Sequence, residues 1–227
     1  GLIITLAIYY SSSVTDNITA LQIPFFKNLI IPLGWIFIPF AVVFITGTSN
    51  AVNLTDGLDG LAAGTLAFSF LGLGVMSYLK GNYIVADYLN LEFLSNAGEL
   101  TVFISAIMGT LIGFLWFNSY PAQVFMGDTG SLTLGGIGAV ISILLKEEIF
   151  FIIIGLIFVV ETCSVIIQRS WFKYTKHKYG QGHRVFLCAP LHHHYELRGI
   201  HESKIVMRFY IVAAMLVAMG LSTIKLR

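Results

Sequence analysis

Of the 227 residues, 56% are hydrophobic and only 11% are charged; soluble domains run at about 45–50% and about 25%. With 13 basic and 12 acidic side chains, net charge +1, the chain cannot coat a water-facing surface, which excludes a soluble globular domain, a disordered tail and a nucleic-acid module. Two cysteines, Cys163 and Cys188, are too few for a disulfide framework, and the expected home is a bilayer.

In chain order, Gly1–Tyr10 is apolar, but ten helical residues reach only about 15 Å, half a bilayer core. With no initiator Met or signal-peptide pattern, Gly1 is expected to lie partway along a helix whose start is missing. Apolar, nearly charge-free windows then predict spans near 32–52, 58–79, 99–117, 130–145, 149–170 and 205–223. Each is expected to be helical, because backbone facing lipid has no water to bond. The fold class is therefore all-α: a polytopic transmembrane helix bundle with six full spans and a partial one. Residues 1–227 read as a single, N-terminally truncated transmembrane domain. Gly60-x-x-x-Gly64 and Gly109-x-x-x-Gly113 are spacings that favour close helix packing.

Eight of the 13 Lys and Arg lie between Arg169 and Arg208, which places that polar stretch in the cytoplasm. Counting spans backwards puts loops at about 53–59 and 118–130 on the same side as 171–204. Loops 11–31, 80–98 and 146–148 fall outside.

Three polar blocks thus meet at one face. In Asn53-Leu-Thr-Asp56-Gly-Leu-Asp59-Gly60, if Asp56 opens the next helix, Asp59 shares its face. Like charges so placed repel unless a cation or a donor-rich ligand lies between them; the plainer reading is a helix cap plus a solvated charge. In Asn118-Ser-Tyr-Pro-Ala-Gln-Val-Phe125-Met-Gly127-Asp128-Thr-Gly130, the glycines let backbone approach a phosphate near a helix N-terminus. Asp128 could hold Mg²⁺ against pyrophosphate, and Phe125 could stack on a flat ring; alternatively the segment is a Pro/Gly turn dipping into headgroups. The third block, Ala189-Pro-Leu-His192-His193-His194-Tyr-Glu196, lacks the i, i+4 spacing of a helical zinc site. With Arg169, Lys173, Lys176 and Arg184 it suits a polyanion, although basic loops also accompany anionic lipid. Glu161 lies within a span, where an acid is either functional or a hydrogen-bond acceptor. Gln168, on the same segment, could contact a ligand or interfacial water.

The blocks NAVNLTDGLDGLAAG, FNSYPAQVFMGDTGSLTLGG and APLHHHYELRG resemble those of the phospho-N-acetylmuramoyl-pentapeptide transferase family across about residues 35–220. Relatives that use UDP-N-acetylglucosamine share the aspartate-rich logic, but the His run resembles the muramoyl branch. The resemblance implies a ten-helix fold and a Mg²⁺-dependent phosphoglycosyl transfer. UDP-N-acetylmuramoyl-pentapeptide would pass its phosphosugar to undecaprenyl phosphate, releasing UMP and forming lipid I for peptidoglycan. It implies catalytic roles for Asp56, Asp59, Asp128, His192 and His193, with Asp128 as the magnesium carboxylate. Substrate contacts are implied at Asn53, Asn118, Phe125, Gly127, Gln168 and His194, with Phe125 and Gly127 at the uracil. Expected partners are both substrates, membrane lipids and nucleoside inhibitors, with a homodimer as a candidate assembly in the bacterial inner membrane. The family's upstream Asp-Asp-x-x-Lys motif has no counterpart here, so these residues alone are expected to be inactive. A transporter, the rival class, would carry its ionisable groups near mid-membrane; here only Glu161 lies deep.

Overall fold

The computed structural model describes residues 1–11, 19–22 and 30–226. In chain order the elements are α1 (Leu2–Ser11), the strands β1 (Ala20–Gln22) and β2 (Ile30–Pro32), α2 (Phe37–Thr55), α3 (Leu61–Gly81), α4 (Tyr83–Tyr88) and α5 (Ala97–Asn118). These are followed by α6 (Gly127–Leu144), α7 (Glu148–Ile154), α8 (Leu156–Tyr179), α9 (Leu191–Leu197) and α10 (Glu202–Ser222). Five helices, α2, α3, α5, α6 and α10, are long and apolar enough to cross a membrane, and α7 with α8 forms a broken sixth candidate. The chain is a multi-pass, all-α membrane bundle, as its composition predicts. Hydroxyls within the spans bond back to their own helix: Thr55 donates to Ala51 O at 2.8 Å and Thr65 to Leu61 O at 2.7 Å.

Helix α3 is the hub, 67% buried against 11% for α5. Phe70, Leu73 and Met76 are fully enclosed with Phe37, Phe150 and Ile154. Close approaches depend on small residues: a Cβ on Gly81 of α3 would stand 2.5 Å from Gly98 N of α5, and one on Gly135 of α6 would stand 2.9 Å from Ser49 Cα of α2. Ser49 Oγ donates to Leu132 O at 2.7 Å, pinning α2 to α6. Of the two predicted glycine spacings, Gly64 is used, with a Cβ there overlapping the Tyr210 ring of α10. Gly109 and Gly113 face open space among the described residues, because they lie on the outward side of the least buried helix.

Four expectations are corrected. The span predicted as one helix over 149–170 breaks by 78° between α7 and α8 at Gly155. Phe150 and Phe151 pin α7 into the core, and a Cβ on Gly155 would lie 2.9 Å from Phe151 O. The stretch 171–204 is largely helical, since α8 continues to Tyr179 and α9 carries the His run. A short antiparallel hairpin, with Leu21 opposite Ile31, lies in the predicted 11–31 loop, most of which is outside the described residues. Lastly, Lys80, Lys146, Glu147 and Glu148, assigned to outer loops or their edges, are all buried. Lys80 Nζ lies 2.8 Å from Glu147 Oε1 and donates to Leu145 O at 2.7 Å. Lys146 pairs with Glu92, whose other oxygen accepts from Gln22 Nε2 of β1 at 2.6 Å.

Candidate active site

The first polar block is the link between α2 and α3. Asp56 is the C-cap of α2, and α3 opens only at Leu61 after Gly60, whose φ of +78° a side chain would strain. Asp56 and Asp59 therefore do not share a helix face, contrary to the spacing argument. Asp59 instead ties three segments together: its Oδ2 accepts from Ala122 N at 2.9 Å, and its N–H donates to Glu202 Oε1 of α10 at 2.6 Å. Tyr210 Oη donates to Gly60 O at 2.7 Å, closing the same turn onto α10.

The second block supplies the opposing wall. Asp128 lies exposed in the first turn of α6, where the helix dipole favours an anion. Asn53 Nδ2 donates to Asp128 Oδ1 at 2.9 Å and to Ser131 Oγ at 3.0 Å, joining the end of α2 to the start of α6. Asn118, nearly buried, donates to Val124 O at 2.8 Å and shapes the 119–126 loop. Asp56, Asp59, Asn118, Phe125, Gly127 and Asp128 share one cleft of about 260 Å³ with Asn53. Burial and the Asp128 charge raise the Asp56 carboxyl above its ordinary value. No ion pair among the described residues compensates either acid. Phe125 is 74% exposed, its ring unpacked at the cleft rim.

The third block lies beside and behind this cleft. His192 is fully buried, its Nδ1 3.2 Å from Glu161 Oε2, and its ring abuts Gly57 between the two link aspartates. It lines neither cavity described here. His193 is half-exposed, with Nδ1 2.6 Å from Glu196 Oε2. His194 Nδ1 accepts from Leu187 N at 3.1 Å. Gln168 is occupied by backbone: its Oε1 accepts from Val185 N and Phe186 N at 2.9 Å, and its Nε2 donates to Phe186 O at 3.0 Å. It also lines a second, larger cavity of about 660 Å³ with Arg169, Lys173, Arg184, Phe172 and Cys188, so three cations face one space. No three-residue metal cluster of His, Cys, Asp or Glu occurs among the described residues.

Two contributors escape a sequence reading. Glu202 looks like an ordinary first-turn acid, and nothing local announces a partner 143 residues away. Tyr210 did leave a signal, since a phenol in an apolar span needs a hydrogen-bond partner.

The family profile described as Glycosyl transferase family 4 matches residues 2–146. Among curated proteins, the chain is 52% identical to the phospho-N-acetylmuramoyl-pentapeptide-transferase of Flavobacterium johnsoniae over 94% of its own length and 56% of that protein. It is 49% identical to the protein of that name from Chlorobium phaeobacteroides, covering all of this chain and 62% of the relative. For Rickettsia massiliae the figures are 53% identity, 91% and 56%. The chain thus spans somewhat over half the length of these relatives. With the apolar bundle and the paired-aspartate cleft between α2 and α6, the profile match shows that this chain belongs to glycosyl transferase family 4.

Proposed function

We propose that the whole protein carrying these residues moves phospho-N-acetylmuramoyl-pentapeptide from its UDP carrier to undecaprenyl phosphate, releasing UMP and forming lipid I. The observation that carries this reading is the meeting of Asp56 and Asp128, 72 positions apart in sequence, in one glycine-edged cleft. The names of the relatives support it. Two acids without an ion-pair partner among the described residues, one with its carboxyl raised by burial and then by the other's charge, are a donor set that fits a hard divalent cation. Asp128 and Asp56 would hold Mg²⁺, which supplies charge neutralisation on the pyrophosphate oxygens.

The chain's own groups then position the reactants. Asn53 fixes the Asp128 carboxylate through Oδ1. Gly127 lets backbone approach a phosphate at the start of α6, and Phe125 covers the uracil with its free ring face. Asp59 holds the link and the 119–126 loop in register. The cavity bearing Arg169, Lys173 and Arg184 receives a second anion, so the polyprenyl phosphate meets cations on the helix that leaves the bundle. His194 is tied to the wall of that cavity through Leu187, the neighbour of the lining residue Cys188. The density of Lys and Arg over 169–208 supports a cytoplasmic site in the bacterial inner membrane.

The direct test is UMP release by the full-length protein from UDP-N-acetylmuramoyl-pentapeptide and undecaprenyl phosphate, with Mg²⁺ and with chelator. Metal-dependent release is expected; none with both substrates present overturns the reading. At the rim, Phe125→Ala should weaken nucleoside-inhibitor binding about tenfold, in line with about 1–1.5 kcal/mol for a lost aromatic contact. The thermal midpoint should not move, because the ring is unpacked. Calorimetry reads the first and a melting curve the second; an unchanged Kd removes Phe125 from the uracil site.

A further inference from the structure

The Glu161–His192 pair is fully enclosed, both side chains buried and neither lining either of the two cavities described above. His192 Nδ1 faces Glu161 Oε2 at 3.2 Å, while Glu161 Oε1 and His192 Nε2 have no hydrogen-bond partner. A buried carboxylate served only by this imidazole needs a proton at that contact, or its charge stands uncompensated in a poor dielectric. The other end of the ring is equally constrained. A Cβ on Gly57 would overlap Nε2 and lie 3.0 Å from Cε1 and 3.2 Å from Cδ2. That near-symmetry places Nε2 head-on against the direction in which a Gly57 α-hydrogen points. A proton on Nε2 would be driven onto that hydrogen, whereas a bare nitrogen accepts the contact.

We infer that Glu161 is a positioning residue: it fixes His192 with its proton on Nδ1, so that the bare Nε2 seats the Gly57 backbone and sets the link carrying Asp56 and Asp59. Glu161 touches no cleft surface and acts only through His192. The effect on turnover rests on the transferase reading above; the protonation pattern does not.

The test uses the full-length protein with ¹⁵N-labelled histidine, the His192 signals being assigned by their loss in His192→Gln. In the wild type, the ring nitrogens should report Nδ1 protonated and Nε2 bare. Glu161→Leu removes the acceptor; the His192 preference for Nδ1–H should be lost and kcat should fall about 10–100-fold, the range for loss of a group that orients a functional histidine. KM should hold, and kcat should fall by more than any drop in the thermal midpoint accounts for. Glu161→Gln keeps the shape and a hydrogen bond, but its amide can turn either atom to Nδ1. It should give a mixed tautomer and an intermediate kcat, and it covers the case in which the Leu variant does not fold. Identical His192 signals in all three proteins overturn the proposal. So does an altered tautomer with undiminished kcat, or a kcat that falls only in step with the melting midpoint. A wild type without transferase activity refutes the transferase reading instead, and the nitrogen signals then decide the tautomer alone.

Discussion

Asp128→Asn in the full-length protein should reduce UMP release by about 10³-fold or more, with the fold intact. The loss is large because a neutral amide cannot replace a carboxylate at a divalent cation, and pre-placed charge is the main device of phosphoryl transfer. The fold should survive because the substituted amide keeps an oxygen that can accept from Asn53 Nδ2, as Asp128 Oδ1 does now at 2.9 Å. Only the interaction with the α6 dipole weakens, by about 0.3–1 kcal/mol. Asp56 supplies an independent readout. Its carboxyl is raised by burial and then by the Asp128 charge, so removing that charge should lower it. The folded state binds the Asp56 proton more tightly than the unfolded state does. That group's contribution therefore favours folding below its ordinary value and fades as pH rises through the raised one. In Asp128→Asn this window should narrow. The checks are UMP release and a carbonyl-¹³C titration of Asp56. Normal turnover with normal magnesium dependence would remove Asp128 from the metal role.

Lys80→Met should lower stability by about 3–5 kcal/mol, the cost of stripping one partner from a buried ion pair. Lys80 is fully buried, and its ammonium is shared between Glu147 at 2.8 Å and Leu145 O at 2.7 Å. Methionine fills the volume but leaves the carbonyl without that donor and Glu147 without that cation. The double variant Lys80→Met/Glu147→Leu should recover most of the loss, because a matched apolar pair commonly rivals a buried salt bridge. A double-mutant cycle in detergent, followed by denaturant unfolding, measures the coupling. Additive effects would show that the two side chains do not stabilise each other.

Much of this architecture was legible in the sequence, and the reason is the solvent. Hydrocarbon imposes helix on any apolar run of sufficient length, so predicted spans at 58–79, 99–117 and 205–223 lie within three residues of α3, α5 and α10 at each end. What escaped was set by tertiary contact. Gly155 sits in an apolar run that reads as one helix, and the break is decided by how Phe150 and Phe151 pack. The burial of Lys80 is invisible because its partner lies 67 residues away. At the site, residue type pointed correctly to Asp56 and Asp128 facing a common space, while helical spacing misplaced Asp59. That error has a local cause: α2 ends at Asp56, and Gly60, with its positive φ, delays the start of α3 to Leu61. His192 was read as reaching into the site, and its burial follows from the depth of Glu161, which no spacing rule conveys.

Helix α6 begins with the Asp128 carboxylate, and the residue just past its other end, Leu145, offers its carbonyl to the buried ammonium of Lys80. A stiff rod thus carries the proposed metal-binding carboxylate at one tip and cohesion at the other, about a bilayer apart. On that reading, engineering for robustness and tuning of chemistry can proceed at opposite poles of a single helix, provided that changes to the far anchor leave its axial register alone, since a slide there would be delivered undiminished to the Asp128 end.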